Sequence, residues 1–411
     1  MIRNSIVIIY IILGSFISHA QKIGTFQLEL PLVAQGIAVP VHVSLDQVTF
    51  VNDSSLALVE IQGNKKTPVP FQTIQGSSRT LHWMVKSGGK SGEKHTYELM
   101  QGNSGKFDEI RLVDQDGALT FVSENRNLLR YQFQTLYPPA GIDTAYKRSG
   151  FIHPLWSPNG QVLTRIQAPD HYHHYGIWNP WTEVLFEGDS VDFWNLARKQ
   201  GTVRFAKSLS VTNGPVFSEF KVLHEHVVFK KKEGEKVALN ETQTVRIYRP
   251  DHQDYYIADI TSELNCATPS PVLLLKYRYG GLGWRTTEQW DKNNSEVITS
   301  EGKTRKDADG TAARWCIVQG AVDNDYAGAI MMSFPTNYNH PEPLRIWPAT
   351  PENRGDMFAN FSPTKNMSWL LQPGKSYVLK YRLIVFNGHM TKEKAESAWQ
   401  YFAKPPKVIL K

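Results

Sequence analysis

A chain of 411 residues is longer than one hydrophobic core usually serves, so two β-domains or one large double sandwich are expected. A hydrophobic fraction of 41% with 11% aromatic residues excludes a disordered chain. The net charge of +6 is dispersed and no recognisable basic module accompanies it, so nucleic acid is not an expected partner, whereas an anionic polysaccharide suits a mildly cationic surface.

The chain opens on Arg3, a short apolar run over residues 6–16, and the small-residue sequence Ser18-His19-Ala20. This order of positive start, apolar stretch and small residues is that of a signal peptide over 1–20, cut near Ala20. The run is too short for a membrane span, so no span is expected. The predicted location is periplasmic, secreted or at the cell surface.

Short runs with period-two alternation and β-branched residues follow, at 25–30, 41–45, 57–61 and 110–113, and later at 244–248, 255–264 and 377–386. Turn pairs separate them: Asn52-Asp53, Asp116-Gly117, Asn159-Gly160 and Asn213-Gly214. Lys230-Lys231-Lys232 with Glu233-Gly234-Glu235-Lys236 reads as a solvated hairpin tip. Helical periodicity is confined to the end, where Thr391 caps a helix to about Ala403, stopped by Pro405 and Pro406. The fold class is therefore all-β, an antiparallel sandwich or supersandwich with a short C-terminal helix. A connection around Pro138-Pro139 sets an expected boundary near residue 140, with a smaller sandwich over 21–140 and a larger one over 141–411. Cys266 and Cys316 form no disulfide framework; they either pair in an oxidising compartment or serve as two small buried residues.

Polar and aromatic residues concentrate at Asp170-His171-Tyr172-His173-His174-Tyr175-Gly176-Ile177-Trp178-Asn179-Pro180-Trp181, with His153 and Arg165 upstream. On an extended strand His171 and His173 face one way, and His174 faces Tyr172 and Asp170. Imidazoles suit proton transfer near neutral pH, and an adjacent carboxylate such as Asp170 fixes the tautomer. Metal ligation is the competing reading, since His-x-His on a strand can place two imidazoles on one ion, with His153, Glu183 or His340 as the third ligand. There is no His-Glu-x-x-His and no Cys-x-x-Cys, so no cofactor is expected, a divalent metal at the His cluster being the alternative. Two further clusters are expected at the same cleft. One is Lys276-Tyr277-Arg278-Tyr279-Gly280-Gly281-Leu282-Gly283-Trp284-Arg285, whose guanidinium groups can grip a carboxylate or sulfate. The other is the rigid loop Asn337-Tyr338-Asn339-His340-Pro341-Glu342-Pro343 with Arg345 and Trp347.

Together, the run Gly150-Phe151-Ile152-His153-Pro154, the Asp170-His171-x-His173-His174-x-Gly176-x-Trp178 signature, the Gly280-Gly281-Leu282-Gly283-x-Arg285 turn, Ala313-Arg314-Trp315 and the His340-Pro341 to Trp347 loop resemble the PmoA-like family of exported bacterial proteins of polysaccharide utilisation. The resemblance covers roughly residues 25–390 and departs at Tyr175, where family members usually carry Arg. It implies a β-supersandwich acting on sugars and is similar, within the family, to oligosaccharide dehydratases acting on ulvan. That similarity implies a lyase that removes water from a non-reducing-end uronic acid and leaves a 4,5-unsaturated uronyl end. Expected roles are His171 or His173 as base, Tyr172, Tyr338 or His340 as acid, and Arg285 or Arg165 on the substrate carboxylate. His153, His174, Trp178, Trp181 and Trp347 complete the expected substrate contacts. The alternatives are a glycoside hydrolase on acidic oligosaccharides, with Glu183, Asp192, Glu288 and Asp356 as candidate acids, and a non-catalytic carbohydrate-binding protein.

Overall fold

The computed structural model describes residues 21–411 except 104, 231–233, 251–253 and 350–354. The signal-peptide assignment and residues 231–233 of the lysine-rich hairpin tip lie outside the described residues. The architecture is all-β, built from antiparallel sheets with, among the described residues, one α-helix, Lys392–Ala403, near the C-terminal end. All seven runs read as strands from their alternation lie within or across observed strands. Among the described residues, no helix is long and apolar enough to cross a membrane.

The N-terminal unit pairs a five-stranded sheet with a three-stranded one. Strand Gln21–Leu30 shows why: Phe26, Leu28 and Leu30 alternate inward, where they meet Val39, Val41, Leu81 and Trp83 of the smaller sheet. The sheet division then falls between Gln101 and Ile110 rather than near residue 140. Strands Ile110–Gln115, Ala118–Ser123 and Arg126–Gln132 form one end of a large eight-stranded sheet, because Arg126–Gln132 pairs onward with Phe151–Leu155. That sheet continues through Ile177–Trp178, Gly283–Arg285, Phe358–Phe361 and Leu344–Ile346.

A second eight-stranded sheet faces it, running from Gly201–Thr212 to Ser295–Thr299. Phe121, Tyr131, Ile152 and Trp284 of the first sheet meet Phe220, Val222, Val245 and Ile260 of the second in the main core. The second sheet is also covered on its other face, where Ile317, Ile330 and Ile384 receive Ala395, Ala398, Trp399 and Phe402 of the helix. Thr391 caps that helix as expected, its hydroxyl accepting from the Lys394 amide at 3.3 Å. Both cysteines are free, and Cys316 serves as a core residue whose thiol burial pushes up to about 12.

The first large sheet positions the site. Its strands bury Ile152, Ile177 and Ala359 inward, so the adjacent Phe151, Trp178 and Phe358 project from the outer face. There they join Tyr175, Trp194 and Leu196 in a separate aromatic floor.

Candidate active site

Above this floor lies a cleft of about 620 Å³. One wall carries Asp170, His171, His173 and His174; the other carries Trp194, Asn195, Arg278 and Tyr279, with Arg345 and Trp347 at the side.

The histidine wall is the short strand His171–Tyr175, paired with Ile166–Ala168. Ile166 pairs with Tyr175 and Ala168 with His171, so four steps on one strand oppose two on the other. The surplus is a bulge, with Gln167 in a left-handed conformation at φ 49°. Strict alternation is lost there. Instead of pointing to opposite faces, His171, His173 and His174 converge, with ring centroids 5.3, 4.7 and 4.8 Å apart. Tyr172 turns away to pack on Tyr146, 5.7 Å between ring centroids, and leaves the cleft lining.

Asp170 organises this wall. It accepts from His171 Nδ1 at 2.8 Å and from Arg285 Nη2 at 3.0 Å. Burial alone would raise its pKa, but the His171 hydrogen bond and the Arg285 charge prevail and hold it well below the usual carboxylate range. An ionised carboxylate only accepts, so His171 Nδ1 carries the proton of this hydrogen bond. His173 is lowered to about 3 by burial and then by neighbouring positive groups. Burial and the other two imidazoles likewise push His174 well below its ordinary value. Both are neutral bases at physiological pH. His174 is 3% exposed, and its Nδ1 has no hydrogen-bond partner.

Arg285 and Arg165 are engaged elsewhere than expected. Arg285 binds Asp170 and, at 2.5 Å, Asp356, while its guanidinium lies 4.6 Å from the Trp347 ring centre. Arg165 reaches Asp356 at 3.3 Å and Glu288 at 3.5 Å. Their charges are thus already met by protein carboxylates. Arg345 is similarly held by Asp309 at 2.7 Å. Arg278 differs. Among the described residues it makes no carboxylate ion pair, and its guanidinium leans over Tyr277 and Tyr279 at 5.8 and 5.5 Å.

The sequence placed the Arg278–Tyr279 segment at this cleft, and the structure brings it there, but Trp194 and Asn195 were not expected. Tyr279 exchanges hydrogen bonds with Asn195 at 3.1 and 3.2 Å and packs on Trp194 at 5.2 Å. Burial raises its phenol, so it stays protonated at neutral pH. Buried Asp192 fixes this turn by accepting from the Trp194 and Asn195 amides, both at 2.8 Å. Its position two residues before Trp194 is the one local signal for that turn.

Several expected members lie elsewhere. Trp178 is buried under the site, 5.0 Å from His174, and offers no sugar-stacking face. Trp181 is fully buried in the main core, 6.0 Å from Trp369. Tyr338 stacks on Trp369 at 4.5 Å and donates to the Ser368 carbonyl. His340 lies by Ser333 and the helix residue Trp399. His153 contacts Thr164 Oγ1 at 2.9 Å, lowered to about 4 by burial and Arg130. Of the 337–347 loop, only the Arg345–Trp347 end reaches the cleft. The hydrolase candidates also have other work: Glu183 pairs with Arg198, and Asp192, Glu288 and Asp356 are engaged as above.

The sequence matches DUF6807, described as a family of unknown function, over residues 118–400, more than half of the chain. This protein belongs to DUF6807. The DUF6807 segment carries both cleft walls and excludes the N-terminal sandwich. No functionally curated protein matches the sequence. Among solved structures, the chain is similar to a protein in the glycosyl hydrolase family 38 from Enterococcus faecalis, with TM-score 0.45 and 10% identity over 96% of this chain and 49% of that one. It is also similar to a heparan sulfate lyase HepC mutant from Pedobacter heparinus, with TM-score 0.34 and 8% identity over 71% of this chain and 38% of that one. A galactose mutarotase related enzyme from Lactobacillus acidophilus gives TM-score 0.27 and 9% identity over 69% of this chain and 98% of that one. The chain thus spans about half the length of the first of these.

Proposed function

We propose that this protein is an exported carbohydrate-active lyase, a dehydratase that removes water from the non-reducing-end uronic acid of an ulvan-type acidic oligosaccharide. The reading keeps the expected reaction and the PmoA-like resemblance, and reassigns the residues. One observation carries it: neutral imidazoles, a protonated tyrosine and a guanidinium without a carboxylate partner line one open cleft.

Each group meets one demand of the chemistry. The C5 proton of a uronate is weakly acidic while the neighbouring carboxylate keeps its charge, and Arg278 replaces Arg285 and Arg165 as the group to neutralise it. The imidazole wall supplies the base. Tyr279 replaces Tyr172, Tyr338 and His340 as the acid, donating its proton to the departing 4-hydroxyl. The C5–H and C4–O bonds break, the C4=C5 bond forms, and one water leaves. The proton held at the base then returns to Tyr279. Of the tryptophans expected to meet the sugar, only the half-buried Trp347 keeps that place, since Trp178 and Trp181 are buried. A glycoside hydrolase would need one carboxyl kept protonated, and Asp170, the carboxylate in the cleft lining, is held ionised.

The test is incubation of the purified chain with uronyl-terminated oligosaccharides, read by ultraviolet absorbance of the unsaturated uronate and by mass. His171→Ala and Tyr279→Phe are expected to abolish most of the signal, and His340→Ala to leave it unchanged. New reducing ends without unsaturation would replace this reading with hydrolysis; binding without product would replace it with a carbohydrate-binding role.

A further inference from the structure

We infer that His171, His173 and His174 bind a divalent transition-metal ion of the zinc type, with an open coordination position facing the cleft. Ligand nitrogens of these three residues all lie within 4.8 Å of one another. Three imidazoles on a tetrahedral ion stand roughly 3.4 Å apart at Zn–N distances of about 2.0–2.1 Å, so small side-chain rotations close the set. The third ligand expected from sequence was His153, Glu183 or His340; the bulge supplies His174 instead.

Three further observations separate this from ordinary packing. The Nδ1 of His174 is buried without a hydrogen-bond partner, a cost of about 1–3 kcal/mol that a phenylalanine would not carry. Asp170 accepts from His171 Nδ1, which leaves Nε2 as the ligand atom in the carboxylate–histidine arrangement that orients metal ligands. The Arg285 charge beside the cluster is met by Asp170 and Asp356, so it opposes a cation little. Nitrogen donors favour zinc, copper, iron or nickel over the oxygen-seeking calcium and magnesium. Three histidines leave the fourth tetrahedral position for water or substrate, as catalytic rather than structural zinc sites do.

The ion's role in the reaction rests on the lyase reading, although its binding does not. Were the ion bound, His171, His173 and His174 would hold it and it would supply an acidified water beside the substrate, while Tyr279 keeps its role as the acid. Such an ion lowers the pKa of its water to about 7.

The experiment is elemental analysis of the purified full chain, followed by chelation and titration with Zn2+ and Co2+, the latter read by its visible d–d absorption. The expected result is one ion per chain and a tetrahedral-type Co2+ spectrum. His173→Ala should lower affinity by at least tenfold with the fold intact by circular dichroism, and Asp170→Asn by about 10–100-fold. His340→Ala should change neither. Absence of uptake by the wild-type chain, for either ion, overturns the site whatever the activity. If uronate product forms equally with and without chelator, the ion's catalytic role falls while the lyase reading survives. Metal binding without product from any uronate keeps the site and removes the lyase reading.

Discussion

At the scale of single residues, the account turns on which charged groups are already satisfied. Arg285 and Arg165 looked like anion ligands in the sequence, yet protein carboxylates hold both. Arg278 makes no such pair among the described residues, so Arg278→Ala is expected to lower kcat/KM on uronyl substrates by about 10²–10³. The decrease should be much smaller on substrates whose carboxylate is esterified; equal losses on both would remove Arg278 from the site. Tyr279→Phe keeps the ring against Trp194 and deletes only the proton, so kcat should drop by about 10²–10⁴ with binding nearly unchanged. A KM effect without a kcat effect would make Tyr279 a wall instead of an acid. Sequence density alone found Asp170, the three histidines and Trp347. It could not weigh Arg278 against Arg285, because partners such as Asp356 lie 71 residues away in the chain.

At the scale of elements, one bulge converts a strand into a site. Period-two alternation separates His174 from His171 and His173, and it correctly described the long strands, where side chains face either core or solvent. It failed over His171–Tyr175 because the surplus residues change which way each side chain points, and nothing local announces register. Gly176 ends this stretch at φ 57°, and a Cβ there would come 2.1 Å from the Ile152 carbonyl oxygen. Gly176→Ala should therefore destabilise the protein by about 2–4 kcal/mol and reduce activity beyond what the loss of fold explains. Thermal unfolding beside single-turnover kinetics measures both; an unchanged melting temperature would mean that the turn has more room than this packing gives it. The Trp194–Asn195 wall was missed for a different reason. Its function comes from meeting Tyr279, 84 residues away, and only the preceding Asp192 hints at a fixed turn.

At the scale of the whole molecule, two facing eight-stranded sheets provide a rigid base, and the helix closes the far side of the second. Buried Glu342 ties strand to loop there, accepting from Ser333, Asn337 and Tyr381 at 2.6, 2.7 and 2.9 Å. Burial raises it to about 7, against these hydrogen bonds, which lower it. The folded state then holds this proton where the unfolded chain has released it. Stability from Glu342 is full below its ordinary value of 4.5 and declines as pH rises through about 7. Glu342→Gln should flatten that part of the stability profile, by about 3 kcal/mol between the two limits. Denaturant titrations of both chains across this range measure it, and parallel profiles would show that Glu342 ionises normally. The sandwich class was legible because seven short alternating runs agree with one another. The division between units was not, since the connection near Pro138-Pro139 joins strands of the same sheet.

The central claim is that the cleft between the imidazole wall and Tyr279 eliminates water from a terminal uronate. Mass spectrometry of uronyl-terminated oligosaccharides after incubation with the purified chain tests it most directly. The account predicts a product lighter by one water, absorbing as an unsaturated uronate and absent with His171→Ala. Shorter sugars of hydrolytic mass, or an unsaturated product that persists in His171→Ala, would contradict it.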